Sequence, residues 1–197
     1  MRWDNLFDDL EGQLEQELGA EETDLRAEEE RLRLGRLSIR DRLFALGTER
    51  DDGPVRVSLV NGSTLDLRPR TFGRDWISGD VVDQTVRGAQ FILPLDAIAG
   101  LLLTRSQVSN SLEELAVTES ERGLSRRLGL AFVLRDLCRR RQSVELVMSE
   151  GVISGTIDRV GRDHLDLAVH EAGTVRRENL VSHYRIVPFA RLLFVRL

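Results

Sequence analysis

VRVSLVNG at residues 55–62 has a counterpart later in the chain, VELVMSEG at residues 144–151. Each stretch places apolar residues at every second position and ends on a glycine, which is typical of a β-strand that runs into a tight turn. Two further signals recur in the same order, GRD at residues 73–75 and 161–163, and Ile-aliphatic-Pro at residues 92–94 and 186–188. This repetition predicts a duplicated, β-rich unit.

The pattern around these signals predicts a helix followed by five short strands in each half. Ser38-Ile-Arg-Asp41 has the form of a capping box and opens the first helix. The second helix is predicted from Ser125 to about Arg141. The first half has one more residue between its turn glycine and its GRD tripeptide, and we assign that residue to a β-bulge at Pro69, since proline interrupts a strand ladder.

The N-terminal segment is strongly acidic. Residues 1–34 hold twelve carboxylates against four arginines. Leu18, Leu25 and Leu32 are spaced by seven, which is the spacing of a helix that packs on another helix. We therefore predict an acidic amphipathic helix over residues 1–37 that binds a protein partner or a second copy of the chain through these leucines. A solvated arm without a partner is the alternative.

A basic cluster lies near the middle of the chain. Residues 120–143 contain two acids and seven arginines, although the whole chain carries a net charge of −5. Clustered arginines on one helix can contact a phosphate backbone. Arginines in a last helical turn also oppose the helix dipole favourably, so a purely structural role stays open. The candidate nucleic-acid contacts are Arg126, Arg127, Arg135, Arg139, Arg140 and Arg141.

The second half resembles the Sm/LSm-like family of small SH3-like barrels. The similarity is carried by the apolar alternation from Val144, by Gly151 and Gly155, and by His164-Leu-Asp-Leu167, which is similar to a His-Met-Asn-Leu-like stretch of that family. In the first half Asp66 stands where the bending glycine would be. The resemblance covers about 110–120 residues and implies two tandem five-stranded barrels.

The ligand chemistry of that family is largely missing from this sequence. In the family, the asparagine of the motif binds an RNA base and a later Arg-Gly pair completes the pocket. Asp166 stands at the asparagine position in the second half and Ser78 in the first, and neither half has Arg-Gly between its fourth and fifth strands. An ionised aspartate can only accept hydrogen bonds and repels phosphate. Ser78, His164 and Asp166 are therefore candidate equivalents of the family's ligand positions only.

Catalytic and metal-binding motifs are not found in the sequence. There is no phosphate-binding glycine loop, nucleophile elbow or HExxH motif. His164 and Asp166 could share an ion only with a third ligand from elsewhere, because His170 lies about 20 Å further along an extended strand. Cys138 falls in an apolar helical pattern and is predicted to be a buried thiol. We expect no enzyme activity, no metal, no cofactor and no small-molecule substrate.

These patterns predict an α+β, mainly β protein. Its predicted parts are the helix of residues 1–37, a first Sm-like barrel with its leading helix at 38–104, a linker at 105–123, and a second barrel with its basic helix at 124–197. The leading functional hypothesis is a non-enzymatic interaction or assembly protein of the bacterial cytoplasm. The alternative is a nucleic-acid-binding protein that uses residues 126–141. No apolar window reaches the roughly 18 residues of a membrane span, so no membrane partner is expected.

Overall fold

The computed structural model describes residues 19, 22–47, 53–82, 89–113, 124–174 and 176–197. The chain divides into two compact units, Met1–Ile39 and Arg40–Leu197. In the first unit, residues 22–35 form helix α1. The remaining helices are α2 (Ile39–Gly47), α3 (Arg105–Leu112) and α4 (Leu130–Arg139). Among the described residues, no helix has the length and apolarity that crossing a bilayer requires.

All ten strands lie in the second unit. Those of the first half are β1 (Val55–Leu59), β2 (Thr64–Phe72), β3 (Trp76–Val81), β4 (Gln90–Pro94) and β5 (Ile98–Leu102). Those of the second half are β6 (Ser143–Met148), β7 (Gly151–Val160), β8 (His164–Val169), β9 (His183–Pro188) and β10 (Leu192–Arg196). The strands predicted from the repeated sequence signals are thus found in both halves.

The strands form one antiparallel sheet of ten, in the order β5-β1-β2-β3-β4-β10-β6-β7-β8-β9. Each half has the same internal order, in which its fifth strand lies beside its first and its fourth strand is at the other end. The halves meet where β4 pairs with β10, with Ile92 opposite Val195 and Phe91 opposite Arg196. We call this pairing of β4 with β10 the seam.

The predicted architecture of a long N-terminal helix and two closed five-stranded barrels is wrong, although the protein is mainly β as expected. The sheet is open, and the two five-stranded halves are joined edge to edge. The physical reason is that β4 satisfies its outer edge by pairing with β10. Of the N-terminal segment, the described part from residue 22 is helical to residue 35, and residues 1–18 lie outside the described residues.

The two halves also exchange core side chains at the seam. Leu193 and Phe194 of β10 pack in the core of the first half, together with Phe91 and Leu93. Ile92 of β4 packs in the core of the second half, and so do the β10 side chains of Leu192 and Val195. Adjacent residues of a strand point to opposite faces of the sheet, as Phe91, Ile92 and Leu93 do in β4. In β10 the pairing with β6 is irregular between Leu192 and Phe194, and this bulge places the adjacent Leu193 and Phe194 in the same core. Each half therefore completes its core with residues of the other.

The extra residue of the first half lies in a turn. The β2–β3 pairing is irregular between Pro69 and Thr71, which confirms a bulge there. The β7–β8 pairing has the same irregularity between Ile157 and Arg159, so the bulge is common to both halves. The difference lies in the first hairpin, where Leu59 N donates to Ser63 O at 2.8 Å across three residues. In the second half Met148 lies opposite Gly151, with only two residues between them.

The basic segment is shorter and more broken than the predicted helix of residues 125–141. Leu124–Arg127 forms a 3-10 turn, and α4 begins only at Leu130 after the extended Gly129. The first backbone N–H of α4 donates to the Asp75 carboxylate at 2.7 Å, and the Leu128 carbonyl accepts from Arg74 N at 2.9 Å. These contacts with the loop before β3 separate the 3-10 turn of Leu124–Arg127 from α4.

Candidate interaction edges

In the part of the chain that the structure describes, the two outermost strands of the sheet, β9 and β5, each have one unpaired side. Among the described strands β9 pairs only with β8, from Val169 opposite His183 to His164 opposite Pro188. Tyr184 and Ile186 of β9 are 55% and 67% exposed, respectively. Large apolar side chains on an edge strand form a surface that favours contact with another chain.

The opposite edge is apolar in sequence. β5 reads IAGLL, and within the described ranges it pairs only with β1, with Arg56 opposite Leu102 and Val57 opposite Leu101. Leu102 is 50% exposed. Proteins protect free edges with charged residues or proline inside the strand, and β5 has neither. In β9 the single charged residue is Arg185, and Pro188 is its last residue. Both edges can therefore take a further strand through backbone hydrogen bonds.

In the seam, the outer edge of β4 is paired with another strand, β10. Ile92 of β4 is only 3% exposed, and its opposite residue Val195 is fully buried. The Leu197 N–H donates to the Gln90 carbonyl at 2.9 Å and extends the pairing beyond β10. Strand pairing and side-chain burial therefore occur together where β4 meets β10.

On the polar face of the sheet, arginines and aspartates of neighbouring strands form ion pairs. Arg56 donates to Asp66 at 2.7 Å and Arg70 to Asp80 at 2.6 Å. The hydrogen bond from Arg56 holds the pKa of Asp66 below its usual range. Exposed pairs of this kind each contribute only about 0.2–1 kcal/mol to stability.

Most of the candidate nucleic-acid contacts are engaged within the chain. Arg139 and Arg140 both bind Asp136, at 2.6 and 2.7 Å, and these contacts lower the pKa of that carboxyl. Arg141 binds Asp158 at 2.9 Å, and Arg135 donates to the Gly161 carbonyl at 3.3 Å.

Arg126 and Arg127 differ from the other four arginines. Both are exposed on the 3-10 turn, and within the described parts of the chain they have no ion-pair partner. The structure therefore does not bring the six arginines together as one free basic surface.

The candidate ligand positions lie on two separate strands. Ser78 is in β3, between Thr71 and Ile92 of the neighbouring strands. Asp166 is in β8, with Arg159 at 3.9 Å. His164 shares a hydrogen bond of 2.8 Å with Asp163, and this bond lowers the pKa of the Asp163 carboxyl. The described residues contain no group of three or more His, Cys, Asp or Glu side chains that could hold a metal ion.

The other predicted residues can also be located. Leu25 and Leu32 are exposed on α1, while Leu18 lies outside the described residues. Cys138 is half-buried near the end of α4. His170 is buried, between the Thr156 hydroxyl at 2.9 Å and the Glu171 carbonyl at 2.9 Å.

The sequence did not indicate any residue of the two free edges as a contact for a partner. A signal was nevertheless present in the repeat. FILP at residues 91–94 is continuously apolar, whereas its counterpart RIVP at residues 185–188 begins with a charge. A continuous apolar run is typical of a strand covered on both faces. The contrast between equivalent strands therefore indicated that β4 is internal and β9 is not.

No protein-family model, curated protein or solved structure matches this chain. Membership of the Sm/LSm-like family therefore stays a prediction from residues 143–197 and their weaker counterpart in the first half.

Proposed function

We propose that this protein is a non-enzymatic interaction protein that binds protein partners through the two free edges of its sheet. The observation that carries the proposal is that the two edge strands, β5 and β9, each have one side without a partner among the described residues and carry the exposed side chains of Leu102, Tyr184 and Ile186. Its location in the bacterial cytoplasm is part of the same proposal and rests on the sequence.

The edges offer both affinity and selectivity. The unpaired N–H and C=O groups of an edge strand can form a ladder with an incoming strand, and alternate side chains select which strand fits. Burial of the exposed apolar side chains adds a favourable free energy of about 25 cal/mol per Å² of apolar surface removed from water. The polar face is a weaker candidate for the partner-binding surface, because Arg56 and Arg70 on it already bind Asp66 and Asp80.

A photo-crosslinking amino acid at residue 186 or 102 should yield covalent adducts with a protein partner in cells. The same amino acid at Val152 should yield none, because Val152 is about as exposed as Leu102 but lies in β7, inside the sheet. The measurement is gel mobility and mass spectrometry of the adducts. Equal labelling at residues 152 and 186, or no adduct at either edge, contradicts the proposal.

Helix α1 is proposed as a second contact. Leu25 and Leu32 are exposed, while Arg26 binds Glu22 at 3.2 Å and Arg33 binds Glu30 at 2.6 Å along the same helix. Local ion pairs stabilise an exposed helix by a few tenths of a kcal/mol each and leave its leucines available for a partner. In the crosslinking experiment residue 25 is the test position, and exposed Ala27 is its control.

The alternative, a nucleic-acid-binding protein, rests on Arg126 and Arg127. If it holds, affinity for a single-stranded oligonucleotide falls steeply with salt, by about 0.7 log units per tenfold salt increase for each phosphate contacted. Fluorescence anisotropy of the Arg126→Ser/Arg127→Ser variant should then show weaker binding and a shallower salt slope. The matched control is Arg139→Ser/Arg140→Ser, which removes two arginines already bound to Asp136. Absence of binding by the unmodified protein at low salt removes this alternative.

A further inference from the structure

We propose that residues 162–164 are a docking site for a different protein, and that they bind the start of one of its helices. The site goes beyond the proposed function, since it lies in the turn between β7 and β8 and not on a free edge of the sheet. Its basis is the equivalent turn of the first half, residues 74–76, which already binds the start of α4.

The turn of the first half binds main-chain groups on both sides of the helix start. The Arg74 N–H and the Trp76 indole N–H both donate to the Leu128 carbonyl, at 2.9 and 3.0 Å. The Asp75 carboxylate accepts from the Leu130 N–H at 2.7 Å. That N–H belongs to the first turn of α4, where N–H groups have no partner inside the helix and a negative charge is favoured by the helix dipole.

The turn of the second half has the same backbone geometry. The Gly73 N–H donates to the Trp76 carbonyl at 2.8 Å, and the Gly161 N–H donates to the His164 carbonyl at 2.9 Å. In both turns the aromatic ring of that later residue lies over the glycine, where an added Cβ would meet it. The aspartate carbonyl of each turn accepts from the first N–H of the 3-10 turn after the fourth strand, at 3.0 and 2.8 Å. The two turns are thus copies of one structural element.

The two turns differ in what covers them. Among the residues that the structure describes, none accepts from the Arg162 N–H. The side chain of Asp163 is 84% exposed, compared with 46% for the equivalent Asp75. His164 is half-buried, whereas the equivalent Trp76 is buried. The second half therefore has the binding groups of the first half with no described segment on them.

The segment bound by the first half defines what fits such a turn. Gly129, between the carbonyl and the helix, is extended, with φ of −81° and ψ of 165°. A Cβ at Gly129 would lie 2.7 Å from Arg74 Nη2 and 3.3 Å from Asp75 Oδ2. The matching segment therefore has a free carbonyl, then a small extended residue, preferably glycine, and then the first turn of a helix.

A second copy of this chain does not offer that segment at the equivalent position. Arg40 of α2 and Arg135 of α4 each donate to the glycine carbonyl of the GRD tripeptide in their own half, at 2.6 and 3.3 Å. The offset of 95 residues between these arginines places residues 33–35 at the positions of residues 128–130. Residues 33–35 are the last helical residues of α1, so they offer carbonyls where the turn needs the N–H groups of a helix start. The segment that binds residues 162–164 therefore comes from a different protein.

The probe is a synthetic peptide of residues 124–139 with Cys138 replaced by serine, because this is the segment that the first half binds. It is added to the full chain labelled with nitrogen-15, and binding is followed by NMR. The first-half turn keeps its own segment, which is held there at high effective concentration by the chain itself. A second peptide with Gly129→Val has the same charge and is the mismatched probe.

The peptide should shift the backbone amide signals of residues 162–164. Asp163→Ala should weaken binding by about tenfold or more, as expected for a lost hydrogen bond to a charged group. His164→Trp should strengthen it by about fivefold, because the indole N–H supplies the donor that Trp76 uses. Glu150→Ala is the control, since it removes an exposed carboxylate of the second half outside the site. Circular dichroism confirms that each variant is folded.

Three outcomes overturn the inference. The first is no shift at residues 162–164 at the highest peptide concentration reached. The second is equal binding by Asp163→Ala and the unmodified protein, or equal binding of the Gly129→Val peptide, which would mean a contact made by charge alone. The third is self-association of the unmodified protein that Asp163→Ala abolishes, which would mean that a second copy occupies the site. The free edges are tested separately by the crosslinks at residues 102 and 186, so none of these outcomes removes the proposed function.

Discussion

Replacing Phe194 with alanine should lower the free energy of unfolding by about 3–5 kcal/mol. Phe194 is buried in β10, the last strand of the sheet in sequence, yet it packs in the core of the first half. Truncation removes the apolar contacts of the ring and leaves a cavity among side chains of β1 to β4. The loss of stability should therefore extend across the seam into the first half.

Urea unfolding followed by circular dichroism measures the loss, and hydrogen exchange shows where it falls. We expect faster exchange of backbone amides in β1 and β4 as well as in β10, and one cooperative unfolding transition for residues 40–197. Phe132→Ala is the control, because Phe132 is half-exposed on α4, and it should cost less than about 1 kcal/mol. A loss confined to the second half, with unchanged exchange in β1, contradicts the shared core.

Replacing Gly79 with alanine should destabilise the protein by about 3 kcal/mol or prevent folding. Gly79 lies in β3 opposite Pro69, and a Cβ added there would fall on the carbonyl oxygen of Arg68. That oxygen belongs to the backbone of β2, so the clash cannot be relieved by a side-chain rotation. The strands would have to separate at the bulge.

Gly100→Ala is the matched control, since it also places a methyl group in a strand. The nearest atom to that methyl group would be the Ser58 hydroxyl oxygen at 3.4 Å, which is close to an ordinary contact. We expect this variant to change the free energy of unfolding by less than about 1 kcal/mol. The measurement is again urea unfolding. Equal losses of unfolding free energy for Gly79→Ala and Gly100→Ala would contradict the prediction.

The strands of this fold could be predicted from sequence because their signals are local. Alternating apolar residues, a turn glycine and a GRD tripeptide mark strands within a few residues of their true ends in both halves. Pro69 also indicated the bulge in β2. The same local signals are compatible with a closed barrel or an open sheet, because they do not specify the partner of a strand's outer edge.

The seam and the broken basic helix depend on contacts between residues far apart in sequence. Pairing of Ile92 with Val195 spans about half of the chain, and no periodicity within one half encodes it. The break before α4 is fixed by Asp75 and by Trp76, whose indole N–H donates to the Leu128 carbonyl at 3.0 Å. The candidate edges follow from the seam, so they too become visible only once the sheet is assembled.

The seam has a consequence for the order of events during synthesis. Strand β10 leaves the ribosome after the other nine strands of the sheet, yet it supplies Leu193 and Phe194 to the core of the half that is made first. Until then, nascent chains expose the outer edge of β4, and neighbouring ribosomes on one message hold several such edges close together. We expect the first half to remain open to chaperones throughout elongation, and to close in the same step that completes the second half.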